Sequence, residues 1–154
     1  ELDIAIINVH SSGGREMLEA AAKARGEFKD KSTKLIAVTV LTSLDNRDIK
    51  EIGYKDNSQD LVLRLASLAK DSGLDGVVCS AKEIALIKNK LGKNFILVVP
   101  GIRLEEDNKN DQKRVMSPKK AIDAGADLLV IGRPITDSKD PVKTIDNILK
   151  NIKQ

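Results

Sequence analysis

The sequence predicts a parallel α/β fold built from repeated βα units. Apolar runs of strand length alternate with helical patterns along the whole chain. Aromatic residues make up only 2% of the sequence, so the core must be aliphatic, which suits parallel strands buried on both faces. One unit also echoes within the chain, since SGLDGVVCS at 72–80 aligns with AGADLLVIG at 124–132. This repetition favours a (β/α)8 TIM barrel over a doubly wound sheet, although only five of the eight units of a complete barrel can be counted.

Five strands and five helices are expected in strict alternation. The strands are apolar runs bounded by turn residues, and they are predicted at Ile4–Val9, Leu35–Leu41, Gly76–Cys79, Phe95–Val99 and Leu128–Ile131. The helices follow from apolar residues spaced three and four apart, and they are predicted at Arg15–Arg25, Asp60–Ser72, Ala81–Leu91, Pro118–Ala124 and Pro141–Lys153.

Capping residues support these boundaries. Ser80 precedes the third helix as an N-cap, and Ser117 followed by Pro118 is an N-cap with proline at the first helical position. Gly73 and Gly125 stand where helices should end in a left-handed residue. We therefore expect a single domain over residues 1–154, a partial barrel with no linker.

Composition excludes several classes of protein. A net charge of +3 is too small to predict nucleic-acid binding, and no run of 18 apolar residues predicts a membrane span. The single cysteine, Cys79, lies in a strand-like run and is expected to be a buried residue of a cytoplasmic protein. No metal-binding or nucleotide-binding motif is present, so no cofactor and no metal are predicted.

The segments that follow the strands are the candidate site, because parallel α/β folds place their sites at the carboxyl ends of strands. The clearest signal follows the fifth strand. Gly132 lets backbone N–H groups approach an anion, and Arg133 offers a planar, permanently charged fork that fits phosphate oxygens. The alternative is an arginine paired with a nearby carboxylate beside a glycine that starts a turn. The position in a barrel favours phosphate.

A long polar loop from Pro100 to Met116 is the second signal. Loops of this length in a compact domain are either functional lids or solvated insertions, and the residues do not separate the two. His10, the only histidine, could act as an acid or base. A hydrogen-bonded structural histidine at the strand end is the favoured interpretation.

Six segments in order resemble the bacterial orotidine 5′-monophosphate decarboxylase family. They cover the chain from Leu2 to about Ile148 and read NVHSSGG (8–14), LIAVTVLTS (35–43), GVVCS (76–80), VPGIR (99–103), DQKRVM (111–116) and VIGRPIT (130–136). The resemblance implies a (β/α)8 barrel that converts orotidine 5′-monophosphate to UMP in pyrimidine biosynthesis, without a cofactor and as a homodimer when full length.

The resemblance also implies roles for individual residues. Gly132 and Arg133 would hold the 5′-phosphate, Arg103 would belong to the same phosphate site, and Gln112 would reach the phosphate and the pyrimidine from the loop. Thr42 would contact the nucleotide beside its base. Pro100 would line the pyrimidine pocket.

The family's catalytic array, an Asp-x-Lys-x-x-Asp motif, does not occur in this sequence. We therefore expect the chain to match the family from its fourth strand onward, to hold none of the catalytic residues, which would lie before Glu1, and not to turn over substrate alone. Three alternatives remain: another phosphate-binding barrel lyase of the same superfamily, an inactive nucleotide-phosphate-binding fragment, and a purely structural domain.

Overall fold

The fold is a single parallel sheet with helices between its strands. The structure, a computed structural model, describes residues 3–27, 32–104 and 116–153. Within these ranges five strands pair in the order β1-β2-β3-β4-β5, and every pair is parallel. The strands are β1 (Ile6–His10), β2 (Lys34–Val38), β3 (Gly76–Val78), β4 (Ile96–Val99) and β5 (Leu128–Leu129). Each strand pairs with the next in sequence, as in a barrel, whereas a doubly wound sheet reverses its order. The predicted α/β barrel architecture is confirmed.

The helices are α1 (Gly14–Glu27), α2 (Asn46–Glu51), α3 (Ser58–Asp71), α4 (Ile84–Leu91), α5 (Pro118–Asp123), α6 (Arg133–Thr136) and α7 (Pro141–Lys153). Four of the five predicted helices match to within two residues at either end, and the fifth, α4, begins three residues later than predicted. The helix predicted at 81–91 begins as a 3₁₀ turn, Ala81–Glu83. The short helices α2 and α6 were not predicted, because six and four residues are too few to show a helical period.

The sheet buries both faces at its centre. On β2, Leu35 and Ala37 belong to the main core between sheet and helices, while Ile36 is fully buried on the opposite face. Alternate residues of a strand point to opposite faces. Ile36 and Val98 lie outside the main core, on the other face, which we call the inner face of the sheet. Cys79, the single cysteine of the sequence, is fully buried in the main core, as predicted.

The internal echo has a structural basis at the helix ends. Gly73 and Gly125 have φ values of 84° and 107°, so each ends its helix in the left-handed region that glycine tolerates best. The N–H of the residue after each glycine donates to the helix carbonyl oxygen five residues earlier, at 3.1 and 3.0 Å. Both predicted C-caps are therefore Schellman motifs. Ser117 stands at the predicted N-cap of α5, but its side chain makes no capping hydrogen bond.

An aspartate follows each of these turns and joins two strands. The Asp75 carboxylate accepts from the Leu35 N–H at 2.8 Å, and the Asp127 carboxylate accepts from the Leu97 N–H at 2.7 Å. Asp127 also accepts from the Nζ of Lys88 at 2.7 Å. Since Leu35 and Leu97 are buried, each aspartate satisfies a backbone donor at the amino-terminal edge of the sheet that would otherwise lack a partner.

We expect Asp127→Ala to lower the free energy of unfolding by about 2 kcal/mol. The substitution leaves the buried Leu97 N–H without its acceptor, and it removes the ion pair between Lys88 and the partly exposed Asp127. Urea denaturation measures the change. Asp123→Ala is the control. Among the described residues Asp123 pairs only with Lys119, at the surface, so its loss should change stability by less than about 0.5 kcal/mol. Equal losses in the two variants would show that the bond to Leu97 stabilises nothing.

Candidate functional site

The carboxyl ends of the five strands lie along one edge of the sheet, which we call the rim. The register places His10 beside Val38, Val38 beside Val78, and Val78 beside Val98. Since the strands are parallel, the segments that leave them all begin on this edge. The predicted site residues on described segments follow β2, β4 and β5, which puts them on the rim.

Two arginines occupy equivalent places on neighbouring parts of the rim. Val99 on β4 is paired in register with Leu129 on β5. Arg103 and Arg133 each lie four residues beyond this pair. The structure therefore places the two predicted phosphate ligands on adjacent segments, one after each strand.

Arg103 is buried although it carries a charge. Its side chain and backbone together are only 8% exposed. Among the described residues, its guanidinium donates through Nη1 to the carbonyl oxygen of Ile102 at 3.0 Å. A guanidinium has five N–H donors, so this group retains donors suited to oxygen atoms of an anion.

The segment after β4 is shaped by a glycine and a bridge. Gly101 has a φ of 74°, which turns the chain just after the half-buried Pro100. Ile102 then forms an isolated parallel bridge with Met116, and the Arg103 N–H donates to the Met116 carbonyl oxygen at 3.1 Å. The two ends of the predicted loop are thus held together at the rim. Its middle, 105–115, lies outside the described residues, and so does the predicted ligand Gln112.

The segment after β5 is a short helix, whereas the sequence predicted a loop. Arg133 is the first residue of α6, and the carbonyl oxygen of Gly132 accepts from the N–H groups of Ile135 and Thr136 at 2.8 and 3.1 Å. Pro134 is buried in the first turn of α6, a position that tolerates proline. A Cβ built on Gly132 meets no neighbour within 4 Å, so packing does not require glycine there.

Thr42 lies in the turn that follows β2, four residues beyond Val38. It is 7% exposed, so the threonine predicted to contact the nucleotide is largely covered in this structure. Just before it, Thr39 donates through Oγ1 and N to the Val78 carbonyl oxygen, at 2.7 and 3.2 Å. These bonds extend the pairing of β2 with β3 beyond the strands and fix the start of the turn.

His10 ends β1 and is exposed. Its structural role stays a prediction. The next residue, Ser11, is fully buried, and its hydroxyl has no partner within the described ranges.

A buried carboxylate on the rim was missed. Glu83 is 3% exposed, and its Oε2 accepts from the Ser80 N–H at 2.7 Å. The Ser80 hydroxyl in turn accepts from the backbone N–H of Lys82 at 3.1 Å, which confirms the predicted N-cap. The signal was available, because Ser followed three residues later by Glu is the pattern of a capping box.

Residues 3–27, 32–104 and 116–153 contain no cluster of three His, Cys, Asp or Glu side chains that could hold a metal ion. None of their helices combines the length and hydrophobicity that a bilayer crossing requires.

Consecutive parallel strands with arginines beyond their carboxyl ends define a barrel-type α/β protein whose candidate site lies on the rim. Residues 1–148 match the family model described as Orotidine 5'-phosphate decarboxylase / HUMPS family. The chain therefore belongs to this family.

Its relatives are longer than the chain itself. It is 54% identical over 154 residues to orotidine 5'-phosphate decarboxylase of Coxiella burnetii (strain RSA 493 / Nine Mile phase I), a match covering 99% of this chain and 65% of that protein. It is 51% identical over 152 residues to the protein of that name from Pseudoalteromonas translucida, with the same shares covered. The crystal structure of orotidine 5'-phosphate decarboxylase from Lactobacillus acidophilus superposes with a TM-score of 0.82 at 33% identity, covering 98% of this chain and 64% of that one.

Proposed function

We propose that this chain forms the phosphate-binding part and one side of the pyrimidine pocket of an enzyme that converts orotidine 5′-monophosphate to UMP. The observation that carries the proposal is the placement of Arg103 and Arg133, each four residues beyond the register pair of β4 and β5, in a chain that matches the family over 1–148. Two guanidinium groups on adjacent segments suit a phosphate dianion, because each can make charge-assisted hydrogen bonds to its oxygens.

Each proposed contact has a distinct part in binding. Arg133 and Gly132 hold the 5′-phosphate, and Arg103 neutralises it from the neighbouring segment. Gln112 contacts phosphate and pyrimidine from the loop whose ends meet at Ile102 and Met116. Thr42 and Pro100, on either side of β3, contact the nucleotide beside its base.

The phosphate lies far from the carbon that loses CO2. Contacts with a remote group can raise the rate, and not only the affinity, when their energy closes a loop and orients the reacting centre. The loop between Ile102 and Met116 is suited to this role, since both of its ends are anchored on the rim beside Arg103.

We propose no residue of this chain for the chemical step itself. Loss of CO2 leaves an electron pair on the pyrimidine carbon, which a proton donor must then neutralise. The resemblance to the family implies that the proton donor and its neighbouring carboxylates belong to an Asp-x-Lys-x-x-Asp motif. The 154 residues do not contain this motif. We therefore assign binding, and not proton transfer, to this chain.

Comparison of two ligands tests the proposal. We expect UMP to bind at least about tenfold more tightly than ribose 5-phosphate in isothermal titration calorimetry, because the base adds contacts worth at least about 1.4 kcal/mol. The two ligands share the phosphate and the pentose, so the difference reports on the base pocket. Equal affinity, or a preference for ribose 5-phosphate, would instead favour a sugar-phosphate lyase of the same superfamily.

A further inference from the structure

On the inner face of the sheet, the two rows of register partners nearest the rim are apolar on every paired strand except β1. The row at the rim contains Val38, Val78, Val98 and Leu128, and the row below it contains Ile36, Gly76 and Ile96. On β1 these rows continue with His10, the partner of Val38, and Asn8, the partner of Ile36. Two polar side chains therefore stand where the neighbouring strands carry apolar residues.

Both polar side chains of β1 point to the inner face. Val9, which lies between them, packs against the main core, and alternate residues of a strand point to opposite faces. Asn8 and His10 are both exposed, so neither is covered by the described residues. His10 ends β1, as its partner Val38 ends β2. Its side chain therefore stands at the rim, and Asn8 lies one row further from it.

A polar side chain in such a row needs a polar partner. The inner face of a barrel sheet is covered by layers of side chains in which valine, isoleucine and leucine dominate. A polar group among them costs free energy unless it forms a hydrogen bond. Side chains at the carboxyl ends of barrel strands are also the ones that contact ligands. The position of His10 therefore favours a ligand as its hydrogen-bonding partner.

His10 and the two arginines lie at opposite ends of the rim. Arg103 and Arg133 lie beyond β4 and β5. The strand order puts three strand intervals between β1 and β4, which is about 14 Å along the sheet. The base and the phosphate of a nucleotide are attached to opposite ends of its sugar. A nucleotide held by its phosphate beyond β4 and β5 therefore extends its base toward β1 and β2, where Thr42 also lies.

We propose that His10 binds the pyrimidine base and contributes to its selection. This inference deepens the proposed function and rests on it. A histidine ring has an N–H donor and, when it is neutral, an acceptor nitrogen. The polar edge of uracil has an N–H between two carbonyl oxygens, so the two rings can form hydrogen bonds with each other. The proposal gives His10 a binding role in place of the structural one that the sequence favours, and Asn8 extends the polar surface one row deeper.

Titration of His10→Val with two ligands tests the proposal. The substitution gives β1 the residue that β2, β3 and β4 carry in the same row, and valine is well suited to a strand. We expect the Kd for UMP to rise about tenfold, because the base loses its hydrogen-bonding partner. The Kd for ribose 5-phosphate, which has no base, should change less than twofold. Isothermal titration calorimetry of the 154-residue chain measures both constants.

Three further variants localise the contact. His10→Gln keeps a donor and an acceptor, so the Kd for UMP should rise only about threefold. Asn8→Ile gives β1 the residue of its partner Ile36, and it should also cost about threefold, since Asn8 lies further from the rim. Asn89→Ala is the matched control for the loss of an amide, because Asn89 is exposed on α4. It should leave both Kd values unchanged.

The two proposals fail separately. If the parent chain prefers UMP to ribose 5-phosphate and His10→Val retains the full preference, this inference is overturned and the proposed function stands. An equal loss of affinity for both ligands in His10→Val also overturns it, because a structural histidine would have that effect. A parent chain without any preference for UMP counts against the proposed function itself, and the role of His10 in base selection is then lost with it.

Discussion

Arg133→Ala should raise the Kd for UMP about 100-fold. A guanidinium that holds a phosphate makes two charge-assisted hydrogen bonds, and such bonds contribute about 1.5–3 kcal/mol each when truncated. A loss near 3 kcal/mol corresponds to about 100-fold in affinity, since each 1.4 kcal/mol is tenfold. Calorimetric titration of the purified variant with UMP measures it directly.

Two further variants separate charge from geometry at this position. Arg133→Lys keeps the charge but loses the planar fork, so an intermediate loss of about tenfold is expected. Arg47→Ala removes a cation on α2 whose side chain is 93% exposed, and it should leave the Kd unchanged. A loss below about threefold in Arg133→Ala would remove this residue from the site, and an equal loss in Arg47→Ala would reduce the effect to net charge.

Gly76→Ala should destabilise the fold by about 3 kcal/mol or more, at the upper end of what overpacking costs. Gly76 begins β3 and is paired in register with Ile96 on β4. A Cβ at this position would overlap the carbonyl oxygen of Ile96 and lie 2.6 Å from its Cβ. Neither group is the end of a flexible side chain, so the two strands would have to separate.

The matched control for this variant is Gly26→Ala. Gly26 lies near the end of α1, and an added Cβ there meets nothing within 4 Å. Alanine is the better helix former, so this change should be neutral or stabilise by up to about 1 kcal/mol. Chemical denaturation of both variants gives the comparison. If Gly76→Ala unfolds at the same urea concentration as the parent protein, the close packing of β3 on β4 is not as described.

The repeat in the sequence explains why the architecture was predictable. The nine-residue repeat contains a glycine and an aspartate in each copy. Gly73 and Gly125 each end a helix, and Asp75 and Asp127 each join two strands by a hydrogen bond. Local signals of this kind are sufficient because each involves a turn or cap whose geometry a few adjacent residues determine. The same echo aligns Gly76 with Leu128, and there it fails to predict the packing. Only the three-dimensional pairing distinguishes a glycine pressed against Ile96 from a leucine at an open edge.

The site was predictable in its location more than in its detail. Arg133 was identified because parallel strands send their following segments to one edge, and Arg103 because the family resemblance implied it. The register pair of β4 and β5 puts both on adjacent segments. The burial of Arg103 and the short helix that begins at Arg133 could not be foreseen, since both depend on contacts between segments distant in sequence. His10 could not be placed in this way, because nothing in the neighbouring sequence decides whether a lone histidine at a strand end is covered.

The bridge between Ile102 and Met116 has an evolutionary consequence. Thirteen residues separate Ile102 from Met116 in the sequence, and the two are joined by a backbone bridge that needs no particular side chain. Doubling the length of such a loop costs only about 0.6 kcal/mol in chain entropy. Insertions, deletions and wholesale exchange between Arg103 and Met116 should therefore be tolerated by the barrel. Replacement of the segment between Arg103 and Met116 alone would then change what the protein recognises while every strand is kept.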